Sequence, residues 1–189
     1  LQTLVTLPTN GRVEILFLLG EAADEDEARR LIIRYRTTNL DTALQAVTEK
    51  WNALCHAIQV KTPDRSMDIM LNGWLLYQTL SSRVLARSGF YQASGAFGFR
   101  DQLQDGMALA TSSPERVREH ILRAASRQFP EGDVQHWWLP QTGAGVRTHI
   151  SDDCTWLAYT VAHYVITTGD AAVLEETVSF LDAPLLPLN

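Results

Sequence analysis

Residues 89–109 read GFYQASGAFGFRDQLQDGMAL. Ala93, Ser94, Gly95, Ala96 and Gly98 loosen the backbone, Phe97 and Phe99 offer apolar or stacking surface, and Arg100 and Asp101 then stand side by side at the lip of a predicted helix that begins near them. Asp105 follows Asp101 by one turn on the same face. Two readings of this stretch are open. An adjacent Arg and Asp suits a pyranose ring, the carboxylate accepting from sugar hydroxyls and the guanidinium donating in a fixed fork. Asp101 as an ordinary helix cap beside a surface ion pair would look the same.

Working outward, helical patterns dominate from about residue 21. ADEDEARRLIIRYRT carries acids in its first turn and arginines later, and Leu44, Val47, Trp51, Leu54 and Ile58 recur at helical spacing. MDIMLNGWLLYQTLSSRVLAR predicts a long apolar helix ending at Ser88 and Gly89. SSPERVREHILRAASRQF predicts another, with Ser113 as cap and Pro114 at its first position. SDDCTWLAYTVAHYVITTGD starts at Ser151 or Asp152 and stops at Gly169, and AAVLEETVSFL predicts one more short helix. Ahead of all these, LQTLVTLPTNGRVEILFLLG has two β-prone runs around a PTNG turn, the pattern of a hairpin. No later run alternates as a strand does. The fold class expected is mainly α: paired helices with uneven loops suit half of an α/α toroid, because a closed one of twelve helices at about 11–12 residues each needs far more chain.

The 189 residues are 46% hydrophobic and 20% charged, with a formal net charge of -6, which gives no basic face for nucleic acid. The two cysteines, Cys55 and Cys154, lie far apart without zinc-type spacing, so neither a metal site nor a disulfide framework is expected. The apolar run VEILFLLG falls well short of the roughly 20 residues of a membrane helix. A chain opening on Leu1 and closing on APLLPLN is expected to be part of a longer polypeptide.

Two further groups could carry chemistry. EGDVQHWW places His136, Trp137 and Trp138 in a predicted loop, where indoles would stack on a carbohydrate ring or else fold inward to plug the core; His136 would contact phosphate or act as a polar latch. GAGVRTHISDD offers Arg147 and His149 to an anion, and its Asp152 and Asp153 either point to a cleft or simply begin a helix. His56, His120 and His163 fall in helices without metal-ligand spacing.

YQASGAFGFRDQLQD, QFPEGDVQHWW, RTHISDD and WLAYTVAHYVITTGD, in this order over essentially the whole chain, resemble the inverting glycoside phosphorylases of glycoside hydrolase family 94. Within the family they are most similar to the carboxy-terminal region of the cyclic β-1,2-glucan synthase subfamily. The resemblance implies the end of a β-sandwich at residues 1–20, a helical linker at 21–62 and the first part of an (α/α)6 catalytic barrel at 63–189. It implies that Arg100 and Asp101 bind the glucosyl unit whose bond is broken, with Asp105, His136, Trp137 and Trp138 as further substrate contacts and Arg147 and His149 toward phosphate. Such enzymes protonate the glycosidic oxygen with one carboxylic acid while inorganic phosphate attacks with inversion, giving glucose 1-phosphate without a cofactor. The general acid is expected beyond this chain, so the isolated piece is expected to be inactive. Expected partners are a glucan oligosaccharide, phosphate and the rest of the parent polypeptide, with a homo-oligomer left open. The expected location is the cytoplasmic side, the parent attached to the inner membrane. The rival readings are an α/α-barrel hydrolase, and a non-catalytic glucan-binding module.

Overall fold

The computed structural model describes residues 2–87 and 95–187, so the expected helix end at Ser88 and Gly89 and the first part of the small-residue stretch 89–98 lie outside the described residues. The chain forms two compact units, residues 1–51 and 52–189. The described residues are mainly helical with one small antiparallel sheet.

In the first unit, α1 (Glu25–Thr37) starts at a reciprocal cap: the Glu27 amide donates to Asp24 Oδ1 at 2.8 Å and the Ala23 amide to Glu27 Oε2 at 2.7 Å. α2 (Leu40–Cys55), whose last four residues belong to the second unit, starts where the Thr42 amide donates to Asn39 Oδ1. The expected hairpin at 1–20 is corrected. Its turn forms, with the Gly11 amide donating to Pro8 O at 2.9 Å and Asn10 left-handed at φ 58°, but the flanking runs are exposed and no strand is found among the described residues there. Two such runs with no third strand to cover them are marginal in water.

The second unit opens with a helical run, not the unbroken helix expected. α3 (Arg65–Ile69) and α4 (Leu75–Gln78) are separated at Asn72 and Gly73, the latter at φ 139°. The Asn72 amide group reaches back to residue 60, accepting from Val60 N at 2.6 Å and donating to Val60 O at 2.8 Å. A π-helical stretch then runs over Thr79–Leu85. α5 (Phe99–Leu109), α6 (Pro114–Ala125) and α7 (Asp153–Thr168) follow, α7 closing at Gly169, which is left-handed at φ 76° and donates to Val165 O at 2.8 Å.

The absence of later strands is also corrected. β1 (Phe97–Gly98), β2 (Val134–Trp138) and β3 (Gly145–Thr148) form one antiparallel sheet in that order, pairing Phe97 with Trp138 and Trp138 with Gly145. The loop between β2 and β3 is a tight return in which Leu139 N donates to Ala144 O and Gly143 N to Leu139 O, both at 2.8 Å. Gly145 is required there, since a Cβ would stand 2.0 Å from Trp137 O. The last helix expected shrinks to a 3-10 turn at Ala171–Glu175. Arg118 brackets that turn, pairing with Asp170 before it and Glu176 after it, and beyond it the chain is fastened as a strap, Leu181 N donating to Gln128 O at 2.8 Å. These tertiary ties override the weak propensity of a short helix.

Phe97, Phe99, Leu103, Ala124, Val134 and Trp138 make the core, with Trp156 and Leu157 packed against it. His120 stacks on Phe97 at 5.5 Å between centroids. Burial, and then the charges of Arg123 and Arg87, hold its imidazole down to about 3. The unfolded chain therefore binds a proton at His120 that the folded one refuses, and stability is lost as pH falls from the ordinary histidine range of about 6.5 toward that value. Urea unfolding from about pH 6.5 to 5 is expected to show a loss approaching 1.4 kcal/mol per pH unit from this group. His120→Gln is expected to flatten that limb; an unchanged slope would contradict the burial argument.

Candidate functional site

Gly98, in extended conformation, is the N-cap of α5, so Asp101 is not the cap. Gln102 folds back to accept the Gly98 amide at 2.5 Å. Phe99, Gln102, Leu103 and Gly106 are buried at helical spacing, and this leaves Arg100 exposed and Asp101 half-buried on the first turn. Arg100 Nη1 lies 3.1 Å from Asp152 Oδ2, and its guanidinium sits over the Trp156 ring at 5.5 Å from the centroid. The Trp156 indole N–H also points to Asp152 Oδ2, at 3.4 Å. Both partners of the Arg100 ion pair are nearly half exposed, so it is worth roughly 0–1 kcal/mol and is readily exchanged for a ligand.

α7 runs parallel to α5. Arg100 meets Asp152, Thr160 Oγ1 donates to Leu103 O at 3.4 Å, and His163 Nε2 approaches Met107 O at 3.3 Å, a register that ascends along both helices. The two helix starts, with their positive dipole ends, therefore share one end of the unit. β2 supplies the third element there. Its pairing passes from Gln135 opposite Arg147 to Trp137 opposite Val146, so His136 is the extra residue of a bulge. His136 Nδ1 lies 2.7 Å from Oδ2 of Asp153, which is 1% exposed.

The expected residues thus divide. Arg100, Asp101 and His136 come to the shared end, and the neighbouring Trp137 is 39% exposed. Trp138 as a sugar platform is corrected: it is 1% exposed and stacked on Phe97 at 5.4 Å, because the pairing of β1 with β2 turns it into the core. Asp105 is committed inward, accepting from Arg83 Nε at 2.9 Å. Burial pushes its carboxyl up, Arg83 opposes that, and the Asp101 charge adds to the rise.

Arg147 as a phosphate ligand is also corrected. Its Nε and Nη2 grip both oxygens of Asp133 at 2.6 and 2.7 Å, Nη2 also meets Glu131, and Nη1 donates to the carbonyls of Ala183 and Pro184. The side chain is 8% exposed and lies over the Phe129 ring. With its donors spent on two carboxylates and the strap, it fastens the chain's end and has nothing left for an anion. His149 is exposed on the segment after β3, near Asp133.

Trp156 carries no local signal in the sequence, and Asp152 and Asp153 suit a helix start and a cleft alike. Only the fold shows that each holds a different partner. Among the described residues no group of three His, Cys, Asp or Glu side chains is placed to hold a metal ion. Two apolar grooves of this unit lie elsewhere, along α7 at Leu157, Val161 and Val165 and beneath the strap at Val178 and Phe180.

A family model described as the glycosyl hydrolase 94 superfamily, catalytic domain, matches residues 50–184. The chain belongs to the glycosyl hydrolase 94 superfamily. It is 49% identical over 186 residues to cyclic β-(1,2)-glucan synthase NdvB of Rhizobium meliloti (strain 1021), an alignment covering 98% of this chain and 7% of that protein. It is 33% identical over 180 residues to solabiose phosphorylase of Paenibacillus borealis, covering 94% of this chain and 22% of the relative. Against N,N'-diacetylchitobiose phosphorylase of Vibrio proteolyticus the identity is 27% over 206 residues, covering 94% and 26%. The glycosyl hydrolase 94 relatives are thus carbohydrate-processing enzymes, and this chain spans about a quarter or less of their lengths.

The Arg147 latch has a measurable consequence. Hydrogen bonding to Arg147 holds the Asp133 carboxyl below the usual carboxylate range, so the stabilisation is present above about pH 4 and is lost as pH falls through the lowered folded value. Arg147→Met is expected to lower the melting temperature at neutral pH, to weaken the acid dependence, and to expose residues 176–187 to protease. Unchanged protease resistance would contradict the latch.

Proposed function

We propose that this chain is part of a glycoside phosphorylase-type enzyme acting on β-1,2-linked glucans, and that it supplies the sugar-holding part of the site. In this reading Arg100 and Asp101 bind the glucosyl unit whose bond is cleaved, Trp137 and His136 contact the substrate beside it, and the helices form part of an (α/α)6 barrel. Inorganic phosphate is the nucleophile, and the product is glucose 1-phosphate with inverted configuration. The observation that carries the proposal is the convergence of the α5 and α7 starts, where Arg100 lies over Trp156 and beside Asp101. A planar cation, a carboxylate and an indole at one place are the groups a pyranose uses, hydroxyls to the charged pair and ring face to the aromatic. The 49% identity to a protein named as a cyclic β-(1,2)-glucan synthase supports the choice of linkage.

Asp152 and Asp153 are engaged with Arg100 and His136, and Asp105 with Arg83, so we assign these carboxylates to holding rather than to protonating a glycosidic oxygen. The proton donor is assigned to another part of the longer enzyme. Phosphate as nucleophile removes the need for a second catalytic carboxylate.

Calorimetric titration of the chain with a β-1,2-linked glucose trisaccharide tests the reading. Asp101→Ala is expected to weaken binding at least tenfold, the scale of one charge-assisted hydrogen bond of about 1.5 kcal/mol. Affinity unchanged by Asp101→Ala would remove the residue from any sugar site.

A further inference from the structure

Asp153 is 1% exposed, and burying a carboxylate costs several kcal/mol unless it is well paired. Helix capping does not explain the expense, because Asp153 is the first residue of α7, one past the N-cap position, and no backbone amide among the described residues donates to its carboxylate. Among the described residues the Asp153 side chain has one hydrogen-bonding partner: Oδ2 meets His136 Nδ1 at 2.7 Å, while Oδ1 is buried with no partner. An ionised carboxylate only accepts, so a hydrogen bond between it and His136 is one that Nδ1–H donates. His136 is the bulged residue of β2, and a bulge re-aims the side chain it carries. The ring is partly exposed, at 37% of its side-chain area, and Nε2 has no partner among the described residues. One residue earlier, Asp152 holds Arg100. Two consecutive carboxylates at the start of α7 thus place two polar groups that come from different elements, α5 and the β2 bulge.

We propose that Asp153 is a positioning residue: its buried carboxylate holds His136 in the Nδ1–H tautomer, so that Nε2 stands as a hydrogen-bond acceptor for a hydroxyl of the bound glucan. The sugar-accepting role rests on the function proposed above, whereas the grip of Asp153 on the ring does not. The sugar hydroxyl would donate to Nε2 without any movement of the ring, so the geometry exists before the ligand arrives.

The test uses the chain with 15N-labelled histidine, its long-range proton–nitrogen spectrum recorded near pH 8, together with titration of a β-1,2-linked glucose trisaccharide. Wild type is expected to show His136 protonated at Nδ1 and bare at Nε2, and Asp153→Asn to shift the ring toward the opposite tautomer. Asp153→Asn and His136→Ala are each expected to weaken trisaccharide binding about tenfold, and the double variant no more than His136→Ala alone. An Nε2–H tautomer in wild type would overturn the proposal, as would a full further loss from Asp153→Asn in the His136→Ala background. Should Asp153→Asn fail to fold, the wild-type tautomer and the His136→Ala titration decide. If wild type binds no trisaccharide, the sugar reading of the site falls and the acceptor role with it, while the tautomer still decides whether Asp153 orients the ring.

Discussion

The stack of Phe97 on Trp138, 5.4 Å between centroids, is the contact from which the rest of the second unit is hung. It welds the two-residue strand β1 to β2, and β1 leads directly into α5, so the stack determines where that helix begins. Cations line the outside of the pair: the guanidiniums of Arg87 and Arg123 lie over the Phe97 ring and that of Arg127 over Trp138. Such contacts add about 0.5–2 kcal/mol each, with less loss to solvent as burial increases. Because Phe99 is wholly buried at the first position of α5, Arg100 is turned to solvent and Asp101 stands half-buried beside it.

The second organising feature is the start of α7. Parallel packing on α5 brings its Asp152 and Asp153 level with Arg100 and with the β2 bulge. A single rigid helix end then sets the position of groups from two other elements, which is how a site is held in shape without a ligand present. The two pairs differ in setting: both partners of the Arg100 pair are nearly half exposed and weakly held, whereas the carboxylate that meets the partly exposed His136 ring is buried.

What the sequence shows and hides follows from range. α1, α6 and α7 are legible because their signals are local: acids in the first turn and arginines in the last, Pro114 at a first helical position, Gly169 at a left-handed stop. The sheet was not, since β1 has two residues and the bulge at His136 breaks the alternation that marks a strand. Asn72 and Gly73 are a breaker inside an apolar run whose hydrophobicity alone suits an unbroken helix. Arg147 was misread because its partners lie 14 to 37 residues away, beyond any window of pattern. For the site, the Arg100–Asp101 pair was visible as a motif, whereas the roles of Asp152, Asp153 and Trp156 exist only once α5 and α7 are side by side.

The central claim is that the shared end of α5 and α7 is shaped for a sugar ring. A crystal structure of the chain soaked with a β-1,2-linked glucose trisaccharide addresses it directly. The account requires a pyranose within hydrogen-bonding distance of the Arg100 guanidinium and the Asp101 carboxylate, at the end where Trp156 and His136 stand. A trisaccharide ordered elsewhere on the molecule, with Arg100 still paired to Asp152 and no sugar beside it, would contradict it.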